Sequence, residues 1–160
     1  AGLHNWRDVR EMACGDWHVV ARRSDGTACA AGSDTRGQCD VRDWTGLTGL
    51  AAGYLHTLGL TRNGRVHATG HPAFWTGCER WTDIVAVAAG SYHSVGLTAA
   101  GTVVTAGSSE LGQCAVSKWQ DIVAVAAGGA HTVGLRADGS VVATGDDSHG
   151  QLQTAAWRLS

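Results

Sequence analysis

Residues 119–156 read WQDIVAVAAGGAHTVGLRADGSVVATGDDSHGQLQTAA, and this stretch decides the fold. It holds three short apolar runs, IVAVAAG, HTVGL and VVATG, rich in β-branched residues and bounded by Gly. Runs of this kind are strands, and nothing in the stretch repeats with the period of an amphipathic helix. Asp138-Gly139 stands between the second and third runs. Asp-Gly is a favoured pair for a tight hairpin, because the primed turns need positive φ at both central positions. The looser segment QLQTAA that follows is read as a fourth strand.

Working outward, the same pattern occurs three more times. Trp6, Trp44, Trp81, Trp119 and Trp157 are spaced by 38, 37, 38 and 38 residues, and a fixed period of this size marks an array of one small structural unit. The units are 6–43, 44–80, 81–118 and 119–156 of a single repeat domain covering 1–160, with short stubs at 1–5 and 157–160. In every unit a Gly (Gly15, Gly53, Gly90, Gly128) is followed three residues later by His (His18, His56, His93, His131). Asp25-Gly26 and Asn63-Gly64 repeat the hairpin signal, and unit three carries the weaker Ala100-Gly101. Four antiparallel strands in about 38 residues is the size of a propeller blade. The small residues of AVAAG suit the crowded innermost strand, with larger aliphatics and Trp filling the wider gaps outside it. A β-solenoid is the runner-up, although its coils are shorter and less hairpin-like. The expected fold is an all-β propeller with four four-stranded blades.

Composition narrows the function classes. The formal net charge of −2, with both signs spread through the repeats, gives no electrostatic case for nucleic acid. No apolar run approaches membrane-spanning length and no signal peptide is recognisable, so no membrane partner is expected. Five Cys, an odd number, argue against a closed disulfide framework. Cys39, Cys78 and Cys114 recur on successive units, too far apart to pair. A reducing, cytoplasmic compartment fits best.

The repeated residues read as framework. A ring of His could hold a transition metal, but His18, His56, His93 and His131 occur equally in every unit. Each is therefore expected to start the second strand and hydrogen-bond the backbone of a neighbouring unit. The five periodic Trp belong to the same framework. Asp8, Asp83 and Asp121 follow the Trp at one offset and suggest capping or turn bonding. His67 and His71 lie on a strand running into a loop, where their spacing does not bring them to one face. No G-x-S-x-G, phosphate loop or zinc signature occurs, so no catalytic residue, metal or cofactor is assigned and an enzyme is not expected.

Informative variation lies between the repeated positions. The middle residues of Gly-x-x-His are Asp16-Trp17, Tyr54-Leu55, Ser91-Tyr92 and Gly129-Ala130. Phe74-Trp75 stands in the second variable loop of unit two, which also loses a Gly-Gln pair and one residue. Trp17, Tyr54, Tyr92, Phe74 and Trp75 are the candidate binding residues, because Trp and Tyr give large contact area at low entropic cost. A protein surface is the first ligand class they suit, and a carbohydrate the second.

The skeleton Gly-x-x-His-(Thr/Ser)-Val-Gly-Leu, then Asp-Gly-x-Val, then Gly-Gln resembles the repeats of the regulator of chromosome condensation family. His131–Leu135, Asp138–Val142 and Gly150–Leu152 carry it most clearly, and the likeness repeats over nearly the whole chain. The short blades are similar to those of bacterial relatives. The resemblance implies a propeller of seven blades acting as a protein-binding platform, as in a chromatin-bound nucleotide-exchange factor or a secreted β-lactamase inhibitor. No loop of either kind is matched here. Four units are fewer than such rings contain, and an open arc would expose two apolar faces and strand edges. Three arrangements are open: a four-bladed ring, a fragment of a longer protein, or a homodimer joined through its open blade edges into an eight-bladed ring. The stubs at 1–5 and 157–160 favour the homodimer.

Overall fold

The computed structural model describes residues 6–157. The twelve strands among them are β1 (Val9–Cys14), β2 (His18–Arg23), β3 (Ala28–Gly32), β4 (Leu47–Ala52), β5 (His56–Thr61), β6 (Val66–Gly70), β7 (Ile84–Ala89), β8 (His93–Thr98), β9 (Val103–Gly107), β10 (Ile122–Ala127), β11 (His131–Arg136) and β12 (Val141–Gly145). They form four antiparallel three-stranded sheets, each taken from one repeat in chain order. The first strands of successive sheets, β1, β4, β7 and β10, approach one another, so the AVAAG-type strand is the innermost of each blade. The small side chains of Ala51, Ala88 and Ala126 permit that approach.

Each blade has three strands, not the four expected. The closing segment runs as a string of turns instead. Gly37, Gly112 and Gly150 take φ of 79°, 81° and 79°, which only Gly adopts freely, and fold the chain back on itself. The carbonyls of Gly37 and Gln38 are taken by Thr69 and Thr57 of the next blade at 2.8 Å each. Backbone groups that a fourth strand would offer to β3 are thus committed across the blade junction. In unit two the same segment forms two short 3-10 turns, Pro72–Phe74 and Cys78–Arg80.

The hairpins also differ from the expected primed type. Gly26, Gly64, Gly101 and Gly139 have φ of 81°, 73°, 74° and 81°, but the preceding Asp25, Asn63, Ala100 and Asp138 do not have positive φ. A single left-handed Gly closes a three-residue loop, with Gly26 N–H donating to Arg23 O at 3.0 Å and Arg23 N–H to Thr27 O at 2.8 Å. This geometry turns the Gly carbonyl outward, where it accepts from the first strand of the following sheet. Leu47, Ile84 and Ile122 donate to Gly26, Gly64 and Gly101 at 3.0, 3.1 and 2.9 Å. A weak turn former such as Ala100 suffices because it never has to enter the left-handed region.

The Asp after each Trp has a backbone role. Asp8, Asp83 and Asp121 are the non-Gly residues with positive φ among the described residues, at 57°, 58° and 58°, and Gly46 with 66° stands at the same place in unit two. Asp tolerates this conformation better than most residues. It sets up the bulge at the start of each first strand, where the pairing register shifts.

The periodic Trp explain the Gly in the second strand. A Cβ added to Gly59, Gly96 or Gly134 would lie 2.7, 2.9 or 2.8 Å from the rings of Trp44, Trp81 or Trp119. Each of these three rings packs against the bare backbone of a Gly in its own blade. Between blades, three apolar clusters fill the junctions, around Val20 and Leu50, Leu58 and Ile84, and Val95 and Ile122. The outermost faces differ. Met12 is 66% exposed where its counterpart Leu50 is 7% exposed, and Trp157 is 58% exposed. Residues 1–5 and 158–160, which carry most of the stubs, lie outside the described residues.

Candidate functional site

Each Gly-x-x-His loop stands at the same end of its blade as the variable loop after the third strand. Ser33, His71, Ser108 and Asp146 N–H groups donate to the carbonyls of Trp17, Leu55, Tyr92 and Ala130 at 2.8–2.9 Å. The two variable loops of each blade therefore stand together on one end of the molecule, and the hairpins on the other.

Beneath those loops lies a repeated hydrogen-bond chain. His18 Nε2 is 2.7 Å from Thr57 Oγ1 of the next blade, and Thr57 Oγ1 donates to Gln38 O at 2.8 Å. The junction of the third and fourth blades repeats it, with His93 Nε2 at 2.8 Å from Thr132 Oγ1, which donates to Gln113 O at 2.7 Å. A Thr hydroxyl has one proton, and the Gln carbonyl takes it. The ring Nε2 must then be the donor, which fixes the tautomer and leaves Nδ1 bare. The Nδ1 atoms of His18 and His93 have no partner among the described residues. His is thus bonded to a neighbouring hydroxyl rather than directly to backbone as expected. The Gly of Gly-x-x-His is required because a Cβ on Gly15 would lie within 2.6–2.7 Å of the His18 ring and against the Gly53 carbonyl. Gln38 completes the set, its Oε1 accepting from Arg36 N–H at 2.9 Å to hold the variable loop.

The junction of the second and third blades departs from this. Unit two has no Gly-Gln pair, and Ser94 stands where Thr57 and Thr132 stand. Ser94 Oγ donates to Phe74 O at 2.8 Å, and fully buried His56 has no hydrogen-bond partner at either ring nitrogen. Burial lowers its pKa to about 4, the neighbouring His93 and His18 rings adding to the shift. A backbone group of His93 opposes the shift but is too poorly placed to make a hydrogen bond. His93 is likewise lowered to about 4, chiefly by burial.

Four of the five candidate binding residues are on the loop end, and three touch one another. Phe74 and Tyr92 meet edge-to-face at 5.3 Å between ring centroids, and Tyr54 meets Tyr92 at 5.7 Å. His71 stacks on Phe74 at 4.7 Å. Tyr92 is 44% exposed and Trp17, on the first blade, 62% exposed. Trp75 lies apart from them: it packs against the second apolar cluster and its Nε1 donates to Gly70 O at 3.3 Å. His67 stacks on Trp44, separate from His71 as the sequence suggests. Sequence reading missed the Thr57, Thr132 and Gln38 roles, because each bond joins residues in different units. The alignment of units offered one usable signal, the recurrence of Thr or Ser after His56, His93 and His131.

Among the described residues no three His, Cys, Asp or Glu gather closely enough to hold a metal ion. A recess of about 700 Å³ lies along the outer edge of β3, lined by Trp6, Arg23, Cys29, Asp34, Cys39 and Arg42 among others. Burial raises the thiol pKa of Cys29 and Cys39, so neither is an activated nucleophile. The recess shares no residue with the aromatic cluster.

The model of the regulator of chromosome condensation (RCC1) repeat matches residues 9–38, 48–74, 84–113 and 122–151, most of the chain. The chain belongs to the RCC1 repeat family. Its matched segments begin at or beside the innermost strand of each blade and end in the variable loop or the Gly-Gln turn that follows it. The arrangement is similar to human WBSCR16 at a TM-score of 0.76 and 18% identity, covering 92% of this chain and 51% of that one. The ectodomain of the Physcomitrella patens receptor kinase CR4 gives 0.71 and 20%, covering 86% and 39%. Prp20p of Saccharomyces cerevisiae, whose structure was described with its binding to Gsp1p and histones, gives 0.70 and 20%, covering 90% and 45%. At these identities the likeness is one of fold, and the RCC1-repeat chain spans about half or less of each. No curated protein matches it by sequence.

Proposed function

We propose that this chain is a non-enzymatic binding module whose working surface is the loop end of the blades. The observation that carries this reading is the exposure of Trp17 and Tyr92 at positions where the His–Thr–Gln chain makes no demand. Solvent exposure of large aromatics beside adaptable polar loops is the pattern of an interface anchor. Tyr54 and Phe74 hold Tyr92 in place from the side, so the surface is organised before a partner arrives. Trp17→Ala and Tyr92→Ala, each removing an exposed ring, are expected to leave the unfolding midpoint unchanged while abolishing capture of a protein partner. Retained capture by the double variant would overturn the reading, and a glycan array provides the counter-test for a carbohydrate.

A second reading concerns the open faces: two chains join through them into a closed ring of eight blades. It is supported by Met12, exposed at a position that is buried in the second blade, and by the half-buried Val133, whose counterparts Val20, Leu58 and Val95 are fully buried. Sedimentation equilibrium is expected to give twice the chain mass; a stable monomer would rule this assembly out.

A further inference from the structure

The loop end differs from the rest of the molecule in charge as well as in aromatic content. The Gly-x-x-His and variable loops carry five carboxylates, Asp16, Asp34, Glu110, Asp146 and Asp147, against one guanidinium, Arg36. The chain as a whole has a formal charge of −2, so the remainder carries a small positive excess. The near-neutral total conceals a segregation that the linear sequence does not show, because the loops are brought together only by the blades.

Three of these carboxylates are held in position by hydrogen bonds. Asp34 Oδ1 accepts from Cys39 N–H at 2.8 Å, and Asp147 Oδ1 from Leu152 N–H at 2.8 Å. Asp146 accepts from Ser148 and from Gln151 Nε2, and these bonds hold its carboxyl below the usual range. Asp16 and Asp34 lie near enough to His18 to oppose the lowering of its pKa by burial. Asp16 adjoins Trp17 in sequence, and the loop of Glu110 is tied to Tyr92 through the Ser108 N–H to Tyr92 carbonyl bond at 2.9 Å. Each of the two most exposed aromatics on this end is thus joined, by sequence or by a backbone hydrogen bond, to a loop that carries a carboxylate.

Resting on the binding-module reading above, we infer that the partner of this surface is a basic, extended peptide segment. An Arg or Lys side chain would lie over the Trp17 or Tyr92 ring, where the face of the π-system attracts a cation. The surrounding carboxylates would favour flanking cations and repel acidic segments, which sets specificity and association rate.

The test uses the whole chain and three fluorescent synthetic peptides of equal length: Arg-rich, Glu-rich and uncharged proline-rich. Binding is followed by polarisation at low and high salt. The expected result is binding of the Arg-rich peptide alone, weakened by salt. Trp17→Ala, Asp16→Asn and Glu110→Gln should each weaken it about threefold to tenfold. Asp43→Asn, an exposed position outside these loops, changes net charge equally and should leave it unaltered. Equal weakening by Asp43→Asn, or none by Trp17→Ala, overturns the inference in favour of unspecific charge attraction. Binding of the proline-rich or Glu-rich peptide instead, still dependent on Trp17 and Tyr92, overturns the basic partner while leaving the aromatic surface standing. If no peptide responds to Trp17→Ala or Tyr92→Ala, the surface itself is the wrong one.

Discussion

The first and third blade junctions are alike, and the middle one is not. In the two regular junctions a His, a Thr and a Gln carbonyl from consecutive blades form one chain of bonds. At the middle junction Ser94 turns to Phe74 instead, and His56 keeps no hydrogen-bond partner among the described residues. The difference teaches that the three residue types work as a set. Unit two has no Gly-Gln pair: Ser94 Oγ donates to Phe74 O instead, and His56 still fills the space beside Gly53, where a Cβ would strike its ring. The same departure placed Phe74 where it supports Tyr92. One local difference thus leaves a buried His without a hydrogen-bond partner and builds part of the candidate surface.

Acid should expose the contrast most strongly. The folded-state pKa of His56 and of His93 is about 4, below the ordinary 6.5, so folding favours the neutral rings. Their contribution is fully present above about pH 6.5 and is lost as pH falls toward 4, by up to about 3 kcal/mol each. Urea unfolding measured between pH 7 and pH 4 should show this slope, and His56→Leu should remove about one proton's share of it. A flat profile would mean that these rings are not buried and neutral.

Next in size is the hydroxyl. Thr57→Val strands His18 Nε2–H and the Gln38 carbonyl together and is expected to cost about 2–3 kcal/mol, whereas Ser94→Ala loses a single bond worth about 1 kcal/mol. Equal losses in denaturant titrations would erase the distinction between the junctions. A smaller effect is expected at the His itself near pH 7. His56→Leu removes two unsatisfied polar atoms and should fall within about 1 kcal/mol of the parent, while His93→Leu should cost about 1–2 kcal/mol by removing the bond that Thr132 Oγ1 accepts. The reverse order would contradict the hydrogen-bond assignment.

The smallest expected effect extends the comparison to the open faces. Val19 stands in β2 where Thr57, Ser94 and Thr132 stand in the other blades, so an eight-bladed ring would set a methyl group, not a hydroxyl, against His131 of the second copy. Val19→Thr would supply the missing acceptor and strengthen self-association by about 1 kcal/mol per junction, readable by sedimentation. No change would argue against that pairing of faces.

Much of this architecture was legible in the chain. The Trp period marked the blades, and the Gly-bounded apolar runs marked three of the strands in each, because strand patterning and Gly punctuation are local properties. The fourth strand was misread because the segment 38–43 looks extended only when its neighbours are ignored. The carbonyls of Gln38 and of the preceding Gly37 are claimed by Thr57 and Thr69 of the next blade, a contact that no pattern within one unit reveals. The primed hairpin was misread because Asp-Gly and Asn-Gly equally suit a three-residue loop with one left-handed Gly, which the fourth blade also adopts at Gly139 without a following blade among the described residues. Among the candidate site residues, Trp17 and Tyr92 could be named from sequence, since they vary where the frame does not. That Trp75 packs inward while Phe74 supports Tyr92 depended on the 3-10 turn that Pro72 opens.

The sequence by itself determined the unit, its length, its innermost strand and the positions where only Gly fits, because these follow from backbone sterics and side-chain period. Tertiary structure alone decided which hydroxyl each His meets, which His meets none, and that five scattered carboxylates share one end with the exposed aromatics. Those facts depend on stacking one blade against another, and stacking joins residues some 20 to 40 positions apart.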